Sequence, residues 1–535
     1  MSTALPKPGA GGAAAAARSL PSRLMTAFSG PVGLAVKIVL LGIVNALALW
    51  AGVVLAGEGN WLAVGVLVLT TLAIDAIYLL RRGTLPLKFL IPGTIFLLAF
   101  QVVPIAYTIN VAFTNYSTGH ILSKSEAIEG INRNSLEPPA DGKTYVMAPA
   151  RDEDGELVLL LVDEADGSTF VGSPDGIEPL ARETVRISPD GVIVDAHDYE
   201  LVKGNALFTL DKELETYTVP TGGSSAIRPE GLEAALELKP SLRHDEAADT
   251  FTRVSDGQVF RDNGRGSFAT AAGEELEPGW RTTIGLDNVR RVFQDPLVRD
   301  PFVRVFIWTL AFAVLTVGLS FFIGLFLAIT LDKKIRFQRF YRTVLVVPYA
   351  IPAFLTILVW AGLLNDDFGV VNKLLHTSIP WLFDPTWAKV SVLLVALWLS
   401  FPYFFLVSLG ALQSIPGELV EAARVDGAGA WQVFRKITLP LLLVAVAPLL
   451  IASFAFNFNN FNNIYLLTGG GPPSEDQSIA GATDILISYT YKLAFEAGKG
   501  QDYALAAAVS IFIFFIVATI SGAAFWRSKA LENVR

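Results

Sequence analysis

Eight apolar runs, each long enough to cross the hydrocarbon core of a bilayer, constrain the fold of this 535-residue chain more than any other feature. A core about 30 Å thick requires about 20 residues of helix. Because lipid cannot satisfy a free backbone N–H or C=O group, such runs are expected to form helices. The sequence therefore predicts an all-α polytopic membrane protein with eight spans, at 33–56, 61–80, 87–112, 305–331, 343–364, 390–412, 440–463 and 504–526.

The loops between these runs differ in their content of basic residues. Successive loops alternate between the two sides of the membrane. The loops on one side, together with the two ends of the chain, hold 17 Lys and Arg residues, whereas the short loops on the other side hold four. Because basic residues accumulate in cytoplasmic loops, both termini are predicted to be cytoplasmic and the long segment after the third span to lie outside the cytoplasm. Residues 1–32, rich in Ala, Gly, Ser and Pro, are predicted to form a disordered cytoplasmic tail, followed by spans one to three within 33–113.

The long segment, residues 114–300, has the composition of a water-exposed domain. It holds 35 acidic and 18 basic residues, a net charge of −17, whereas the rest of the chain has a net charge of +8. Short β-rich stretches alternate with Gly, Asp and Pro turns, which predicts an inserted β-rich domain outside the cytoplasm. One helix is predicted within it at 231–248, and an amphipathic helix at 285–302 is predicted to lie on the membrane surface before the core of residues 301–535, which holds spans four to eight.

Missing residue types exclude several classes of chemistry. The chain has no Cys, which excludes disulfides, iron–sulfur clusters and cysteine nucleophiles. It has no phosphate-binding loop, no G-x-S-x-G elbow and no H-E-x-x-H motif, and its four His residues are scattered. We therefore expect no catalytic residue, metal site or cofactor in this chain, and its net charge of −9 argues against nucleic-acid binding. Two charged residues, Lys37 and Asp75, lie within predicted spans. The simplest interpretation is that their side chains extend toward the helix end and so reach the membrane surface.

The loop between spans six and seven, centred on residues 415–440, carries a distinctive pattern: IPGELVEAARVDGAGAWQVFRKITLPLL. Pro416 suits the first turn of a short helix. Ala422 and Ala423 are small, so another surface can approach the backbone closely. Gly427 is expected to permit a turn or a close approach that a Cβ would obstruct. The alternative is an amphipathic loop that lies on the membrane surface.

Span seven ends in a cluster of amides. On a continuous helix Ser453, Phe456, Asn457 and Asn460 would share one face. Amides offer paired donors and acceptors and an aromatic ring offers a flat apolar surface, a mixture that suits the hydroxyl rims and C–H faces of sugars. Hydrogen bonding between helices could account for one or two of the five amides. Five amides within seven residues indicate a polar cavity, because unsatisfied amides in lipid are costly: Asn457, Asn459, Asn460, Asn462 and Asn463.

Span six carries the sequence LWLSFPYFFL, in which Leu399, Ser400 and Tyr403 share a face. Pro402 can loosen the helix at this point. Taken alone, such an aromatic stripe more often serves packing than binding.

These motifs together resemble the larger permease subunits of the bacterial maltose/maltodextrin ABC importers. The loop pattern E-A-A-x-x-D-G-x(9)-I-x-L-P is typical of importer-type ABC permeases, and the eight-span plan with an insert after span three is that of the larger subunit. The likeness runs from about residue 89 to the end of the chain. Its other motifs are AFTNYS at 112–117, RTVLVVPYAIPAFLTILVW at 342–360, SFAFNFNNF at 453–461, LLTGGGPP at 466–473 and GQDYALAAA at 500–508.

The resemblance implies a transport subunit that is not itself an enzyme. It implies a sugar site within the membrane, formed by Leu399, Ser400, Tyr403, Ser453, Phe456, Asn457 and Asn460. This chain departs from the family pattern at two positions: the pattern has Gly where this chain has Ser400, and an amide where it has Ala396. It further implies that the segment with Glu421, Ala422, Ala423, Asp426 and Gly427 docks into an ATPase subunit. The implied partners are a second, smaller permease, a homodimeric cytoplasmic ATPase that binds ATP and Mg, a periplasmic sugar-binding protein, a maltose- or maltodextrin-like sugar and the lipid of a bacterial inner membrane.

Two alternatives remain open at this stage. The first is an importer of the same type for another disaccharide or α-glucoside such as trehalose; an anionic cargo would require Arg or Lys on the polar face of span seven, which carries none. The second is a membrane-anchored periplasmic enzyme or sensor, which leaves the loop at 415–440 unexplained.

Overall fold

The computed structural model describes residues 31–57, 59–79, 85–139, 141–189, 191–214, 216–222, 225–333, 335–474, 478–496 and 500–532. The predicted tail therefore lies outside the described residues, except that the first helix already begins at Pro31. The chain forms two compact units, divided between Tyr107 and Thr108. The predicted fold class is confirmed: along the chain, apolar helices long enough to span a bilayer precede and follow an inserted β-rich domain.

The first unit is formed by apolar helices. Its helices are α1 (Pro31–Gly57), α2 (Trp61–Leu79) and α3 (Leu85–Leu97); a π-helical turn (Leu98–Val102) then leads into α4 (Val103–Ala112). The Asn45 amide donates to both carboxylate oxygens of Asp75, at 3.1 and 3.0 Å. The expectation that Asp75 simply extends toward the helix end is therefore wrong, because this carboxylate hydrogen-bonds to the neighbouring helix.

The inserted domain is built on an antiparallel sheet of nine strands, in the order β5-β4-β3-β2-β11-β10-β9, with β1 paired to β11 and β8 paired to β2. A second sheet has the order β12-β13-β14-β15, and β6 pairs with β7. The strands are β1 (Leu136–Glu137), β2 (Thr144–Arg151), β3 (Leu157–Asp163), β4 (Thr169–Ser173), β5 (Gly176–Pro179), β6 (Val185–Ile187), β7 (Ile193–Ala196), β8 (Glu200–Leu201), β9 (Val219–Pro220), β10 (Ala226–Glu230), β11 (Ala234–Pro240), β12 (Leu242–Asp245), β13 (Thr250–Arg253), β14 (Val259–Asp262) and β15 (Phe268–Ala269). The domain's helices are α5 (Lys124–Asn134), α6 (Asn205–Thr209) and α7 (Asp211–Leu214).

Strand β3 is the centre of this domain because it is buried throughout its length. Leu157, Leu159 and Leu161 pack into one hydrophobic cluster, and Val158 and Leu160 pack into a second one. Since successive side chains of a strand point to opposite faces, both faces of the sheet are covered.

The helix predicted at 231–248 is wrong. Strands β11 and β12 occupy this segment. Its Ala, Glu and Leu residues favour helix in isolation, but β11 pairs with β10 on one side and with β2 on the other. Tertiary pairing therefore outweighs local propensity.

The membrane-surface helix predicted at 285–302 is also wrong as a single element. Helix α8 (Asp287–Gln294) ends before Pro296, where α9 (Pro296–Asp332) begins. The Asp295 side chain accepts a hydrogen bond from the backbone N–H of Leu297 at 3.0 Å, so it caps the new helix. Pro296 suits the first helical turn because it has no N–H to leave unpaired. The fourth span thus begins before residue 300.

The rest of the bundle follows the predicted order of spans with two changes. The elements are α10 (Gln338–Ala350), α11 (Ala353–Leu363), α12 (Val370–Leu375), α13 (Pro385–Ser414), α14 (Gly417–Val425), α15 (Ala430–Val433), a π-helical turn (Phe434–Thr438), α16 (Leu439–Phe458), α17 (Phe461–Thr468), α18 (Leu486–Phe495) and α19 (Tyr503–Glu532). The fifth predicted span is a pair, α10 and α11, bent by 92°. The seventh ends at Phe458 and not at residue 463. Among the described residues, seven helices are long and apolar enough to span a bilayer, or eight if the bent pair is one span.

Candidate functional site

A cavity of about 690 Å³ lies between α13, α16 and the bend that joins α10 to α11. It is lined by all seven residues that the sequence singled out for sugar binding: Leu399, Ser400, Tyr403, Ser453, Phe456, Asn457 and Asn460. Ala396 also lines it. The structure thus brings together residues that lie in two spans more than forty positions apart in the sequence.

The α16 wall is polar where the helix ends. Asn457 is 3% exposed, and its Nδ2 donates to the backbone oxygen of Ser453 at 2.9 Å. Its Oδ1 accepts a long hydrogen bond from Nδ2 of Asn460, at 3.5 Å. Phe456 beside it is 70% exposed, so its ring is free to receive a flat apolar surface. The wall therefore combines amides with an open aromatic ring.

The expectation of one continuous helical face is wrong in its geometry. Helix α16 ends at Phe458, and Asn460 is the N-cap of α17, where its Oδ1 accepts from the backbone N–H of Asn463 at 3.4 Å. Asn and related residues favour this position because their side chains satisfy a free N–H of the new helix. Asn460 still reaches the cavity, because the chain turns there rather than continuing straight.

Four of the five amides divide between the two interpretations that the sequence left open, and Asn459 fits neither of them. Asn463 is fully buried and donates to the backbone oxygen of Val392 in α13 at 3.2 Å, which is hydrogen bonding between helices. Asn459 donates to its own helix, at the backbone oxygen of Ala455. Asn457, Asn460 and Asn462 line the cavity.

Sequence reasoning missed the third wall. Tyr349, Ile351 and Pro352 line the cavity at the bend between α10 and α11. Pro352 disfavours helix at the preceding residue, and Ile351 is extended, with φ −86° and ψ 134°. Non-helical backbone within a membrane bundle is tolerated where it lines a cavity. The spacing of Pro348 and Pro352 was the available signal.

The loop between spans six and seven forms two short helices, α14 and α15, joined by a tight turn. Gly427 has φ +81°, a conformation that L side chains rarely adopt, so the predicted turn is confirmed. The backbone N–H groups of Asp426, Gly427 and Ala428 close the end of α14, with Asp426 donating to Ala422 and Ala428 to Ala423. A Cβ at Gly427 would meet nothing within 4 Å inside this chain.

The surface of this helical pair is unusually open. Val425 is 87% exposed and Trp431 is 68% exposed, and Leu419 is also exposed. Glu421 and Asp426 are exposed on the same segment. Exposed apolar side chains of this kind occur where a chain contacts another protein or a membrane surface.

The described residues contain no group of three or more His, Cys, Asp or Glu side chains that could hold a metal ion. Among them, the cavity lining includes no charged side chain either. The lining offers amides, hydroxyls and an aromatic ring to a bound molecule.

Two family models match the chain. The model described as "Binding-protein-dependent transport system inner membrane component" matches residues 320–529, and the model described as "N-terminal of TM subunit in PBP-dependent ABC transporters" matches residues 95–175. The first match includes the cavity and both short helices of the exposed loop.

Curated relatives match nearly the whole chain. The maltose/maltodextrin transport system permease protein MalF of Vibrio cholerae is 36% identical over 502 residues, covering 90% of this chain and 92% of the relative. The protein of the same name from Escherichia coli K12 is 34% identical over 508 residues, covering 91% and 95%. Among solved structures, a bacterial ABC transporter involved in the import of the acidic polysaccharide alginate is 25% identical, with a TM-score of 0.40, over 46% of this chain and 84% of that one.

Proposed function

Because the chain belongs to the family of maltose/maltodextrin transport system permeases, we propose that it carries maltose or a short maltodextrin through the cavity between α13 and α16. It does so as the larger membrane subunit of an ATP-driven, binding-protein-dependent importer. The chain performs no bond chemistry of its own; ATP and Mg are bound by partner ATPase subunits.

The observation that supports the cargo is the composition of the cavity. Asn457 and Asn460 offer amides, Ser453 and Tyr403 offer hydroxyls, and Phe456 offers an open ring. A sugar presents hydroxyl groups around its rim and C–H groups on its faces, so it needs both kinds of partner. The absence of a charged lining residue among the described residues favours a neutral sugar over an anionic cargo such as glycerol phosphate.

Two positions bear on which α-glucoside is carried. Ala396 is 1% exposed and lines the cavity, and Ser400 lines it one turn further along α13. Relative to the family pattern, Ala396 removes an amide and Ser400 adds a hydroxyl. We infer that this pair adjusts the preference among α-glucosides, including trehalose.

Coupling to ATP is assigned to α14 and α15. The exposed Val425 and Trp431 offer apolar anchors for the ATPase subunit, and the Gly427 turn sets the angle between the two helices. ATP binding would close the ATPase dimer on this segment and thereby shift the bundle from its inward-facing to its outward-facing state. ATP and the sugar-loaded binding protein would both favour the outward-facing state, because each binds that state more tightly.

The remaining assignments follow from the loop charges. Both termini and α14 would face the cytoplasm, and the acidic inserted domain would face the periplasm of a bacterial cell, where it would meet the sugar-loaded binding protein. A second, smaller permease would complete the membrane part of the complex.

The test is transport by the assembled complex. The chain, its smaller permease, the ATPase dimer and the binding protein are reconstituted in proteoliposomes, and uptake of radiolabelled maltose, maltotriose and trehalose is measured with and without ATP. ATP-dependent uptake of maltose and maltotriose is expected. Uptake of trehalose alone would reassign the cargo, and hydrolysis of ATP with no uptake of any α-glucoside would reject the proposal.

A further inference from the structure

The inserted domain is joined to the bundle by two passages of chain that are hydrogen-bonded to each other. The chain enters the domain through residues 113–115 and leaves it through residues 282–284; we call these two passages the stem. The backbone N–H of Asn115 donates to the oxygen of Thr282 at 3.1 Å, and the N–H of Ile284 donates to the oxygen of Phe113 at 2.8 Å. Because the passages are paired, rotation of the domain about either one is restricted.

The side chain of Asn288 in α8 holds the entering passage in place. Asn288 is 1% exposed, and its Nδ2 donates to the backbone oxygens of Ala112 and Thr114, at 3.0 and 2.8 Å. Its Oδ1 accepts a hydrogen bond from Nη1 of Arg291 at 3.3 Å. Displacing this amide would leave buried polar groups unpaired, so the contacts favour one arrangement of the stem.

Arg291 connects this amide to span eight. Its Nη1 lies 2.9 Å from Oδ2 of Asp502, and both side chains are half-buried. The other carboxylate oxygen of Asp502 accepts from the backbone N–H of Leu505 at 2.9 Å, in the first turn of α19. We call Asn288, Arg291 and Asp502 the stem network, because together they tie the stem to the beginning of α19.

Two sequence motifs that the cavity does not explain, AFTNYS and GQDYALAAA, meet beside the stem network. The backbone N–H of Ala504 donates to the oxygen of Tyr116 at 2.9 Å, and the N–H of Thr118 donates to the oxygen of Gln501 at 2.8 Å. The base of the inserted domain is therefore bonded to α19 through the main chain as well as through the stem network.

Helix α19 in turn packs against the helix that forms the polar wall of the cavity. Leu505 and Val509 of α19 share one buried cluster with Phe458 of α16. Phe458 follows directly after Asn457, which lines the cavity. A continuous series of packed and hydrogen-bonded groups thus leads from the stem to the cavity wall.

We propose that Asn288, Arg291 and Asp502 are positioning residues of the transport cycle. They hold the inserted domain in one orientation on α19, so that docking of the sugar-loaded binding protein on this domain acts on the whole bundle. This inference rests on the proposed function and extends it.

The physical reason is that a ligand shifts an equilibrium between two states only by binding one of them more tightly. A loosely attached domain would bind its partner equally well in both states of the bundle and would shift neither. A domain that is fixed to α19 changes its position when the bundle changes state, so its partner can favour one state.

The test is ATP hydrolysis by the complete complex in proteoliposomes, with and without the maltose-loaded binding protein. Arg291→Met removes the hydrogen bonds to Asn288 and to Asp502, and should lower the stimulated rate about fivefold, a typical magnitude for lost coupling between sites. The basal rate should be unchanged. Binding of the loaded binding protein to the complex without ATP, measured by isothermal titration, should also be unchanged. Arg291→Lys should retain most of the stimulation, because the contact with Asp502 uses a single Nη atom.

Two further variants make the test specific. Asp502→Asn breaks the charge pair from the other side but keeps a side-chain oxygen to cap α19, so it should show the same loss without unfolding the helix. Arg290→Met is the matched control, because Arg290 is the neighbouring residue and pairs with Asp287 of its own helix at 3.2 Å. This control should retain full stimulation.

Full stimulation in both Arg291→Met and Asp502→Asn overturns the proposal. So does an equal loss in Arg290→Met, since the charge of α8 and not the stem network would then matter. Basal and stimulated rates that fall together with loss of assembled complex would assign the network to stability alone, and weaker binding without ATP would assign Arg291 to the docking surface; either result overturns the proposal. A wild-type complex whose ATP hydrolysis does not respond to the loaded binding protein would instead reject the proposed function.

Discussion

The carboxylate of Asp484 accepts a hydrogen bond from the Nζ of Lys492 at 2.7 Å, and the two side chains are 0% and 12% exposed. The carboxylate is also bonded to the backbone N–H of Gly481 and to the hydroxyl of Ser488, each at 2.7 Å. This buried pair ties the loop after α17 to helix α18.

Lys492→Met should destabilise the chain strongly. Removing one partner leaves the Asp484 carboxylate buried without its counter-charge, which costs about 3–5 kcal/mol. The measurement is the thermal midpoint of the purified complex in detergent. Asp484→Asn combined with Lys492→Met should recover most of the loss, because no lone charge remains. The control is Arg186→Met, which breaks an exposed pair with Asp195. An exposed pair contributes less than about 1 kcal/mol to the free energy of unfolding, so this variant should leave the thermal midpoint nearly unchanged.

Two adjacent glycines of the LLTGGGPP motif should differ sharply. Gly469 and Gly470 both have positive φ, +61° and +80°. A Cβ at Gly469 would meet nothing within 4 Å, so Gly469→Ala should cost only the strain of that conformation, about 1–2 kcal/mol. A Cβ at Gly470 would lie 2.0 Å from Oδ1 of Asp484, so Gly470→Ala must also displace the buried carboxylate. Equal thermal midpoints for the two variants would contradict this account.

The sequence predicted the spans and the cavity residues because both depend on patterns that are local. Long apolar runs have few alternatives to helix in lipid, and the residues of α13 and α16 were singled out by amide and aromatic spacing together with a family resemblance. Whether these residues bind sugar remains a prediction, although they line one cavity.

What the sequence could not predict depends on contacts between distant segments. Nothing in the spacing of Asp484 and Lys492 shows that they are buried together, since burial is decided by neighbouring helices. Strand β11 was mistaken for helix because its partners β2 and β10 lie elsewhere in the chain. The end of α16 was misplaced because amides serve equally well in a helix face and as an N-cap.

The stability of the inserted domain should fall at high pH through Tyr217. Its hydroxyl donates to the backbone oxygen of Leu157, and burial raises the pKa of Tyr217 to about 12. The unfolded chain ionises this group near pH 10. The neutral form therefore stabilises the fold fully below about pH 10, and this contribution of roughly 2–3 kcal/mol is lost as the pH rises through about 12. The thermal midpoint of the β-sheet infrared signal should fall more steeply above pH 10 in wild type than in Tyr217→Phe; parallel slopes would contradict the assignment.

Gly427→Val should impair coupling to the ATPase. A β-branched residue strongly resists φ +81°, so the turn between α14 and α15 must rearrange. Gly427→Asn is the matched control, because Asn tolerates the left-handed conformation. The Val variant should reach the membrane at normal levels and lose co-purification of the ATPase or sugar-stimulated hydrolysis, while the Asn variant retains both. Normal uptake by the Val variant would show that the turn is not needed for coupling.

Asn457→Ala should reduce sugar uptake without affecting assembly, and Asn459→Ala should not. Asn457 lines the cavity and is 3% exposed, whereas the Asn459 amide bonds back to its own helix at Ala455. Loss of a hydrogen bond to the sugar, with a polar partner left unpaired, costs about 1–3 kcal/mol. That cost corresponds to a decrease of about 5- to 150-fold in affinity at the site. Uptake of maltose, measured at a saturating concentration of the loaded binding protein, should therefore fall in Asn457→Ala. Basal ATP hydrolysis and complex formation should persist, because the proposed ATPase contact at the Gly427 turn does not line the cavity. Because the two amides differ in position and not in chemistry, equal uptake by the two variants would mean that the α16 wall is structural and that the sugar binds elsewhere.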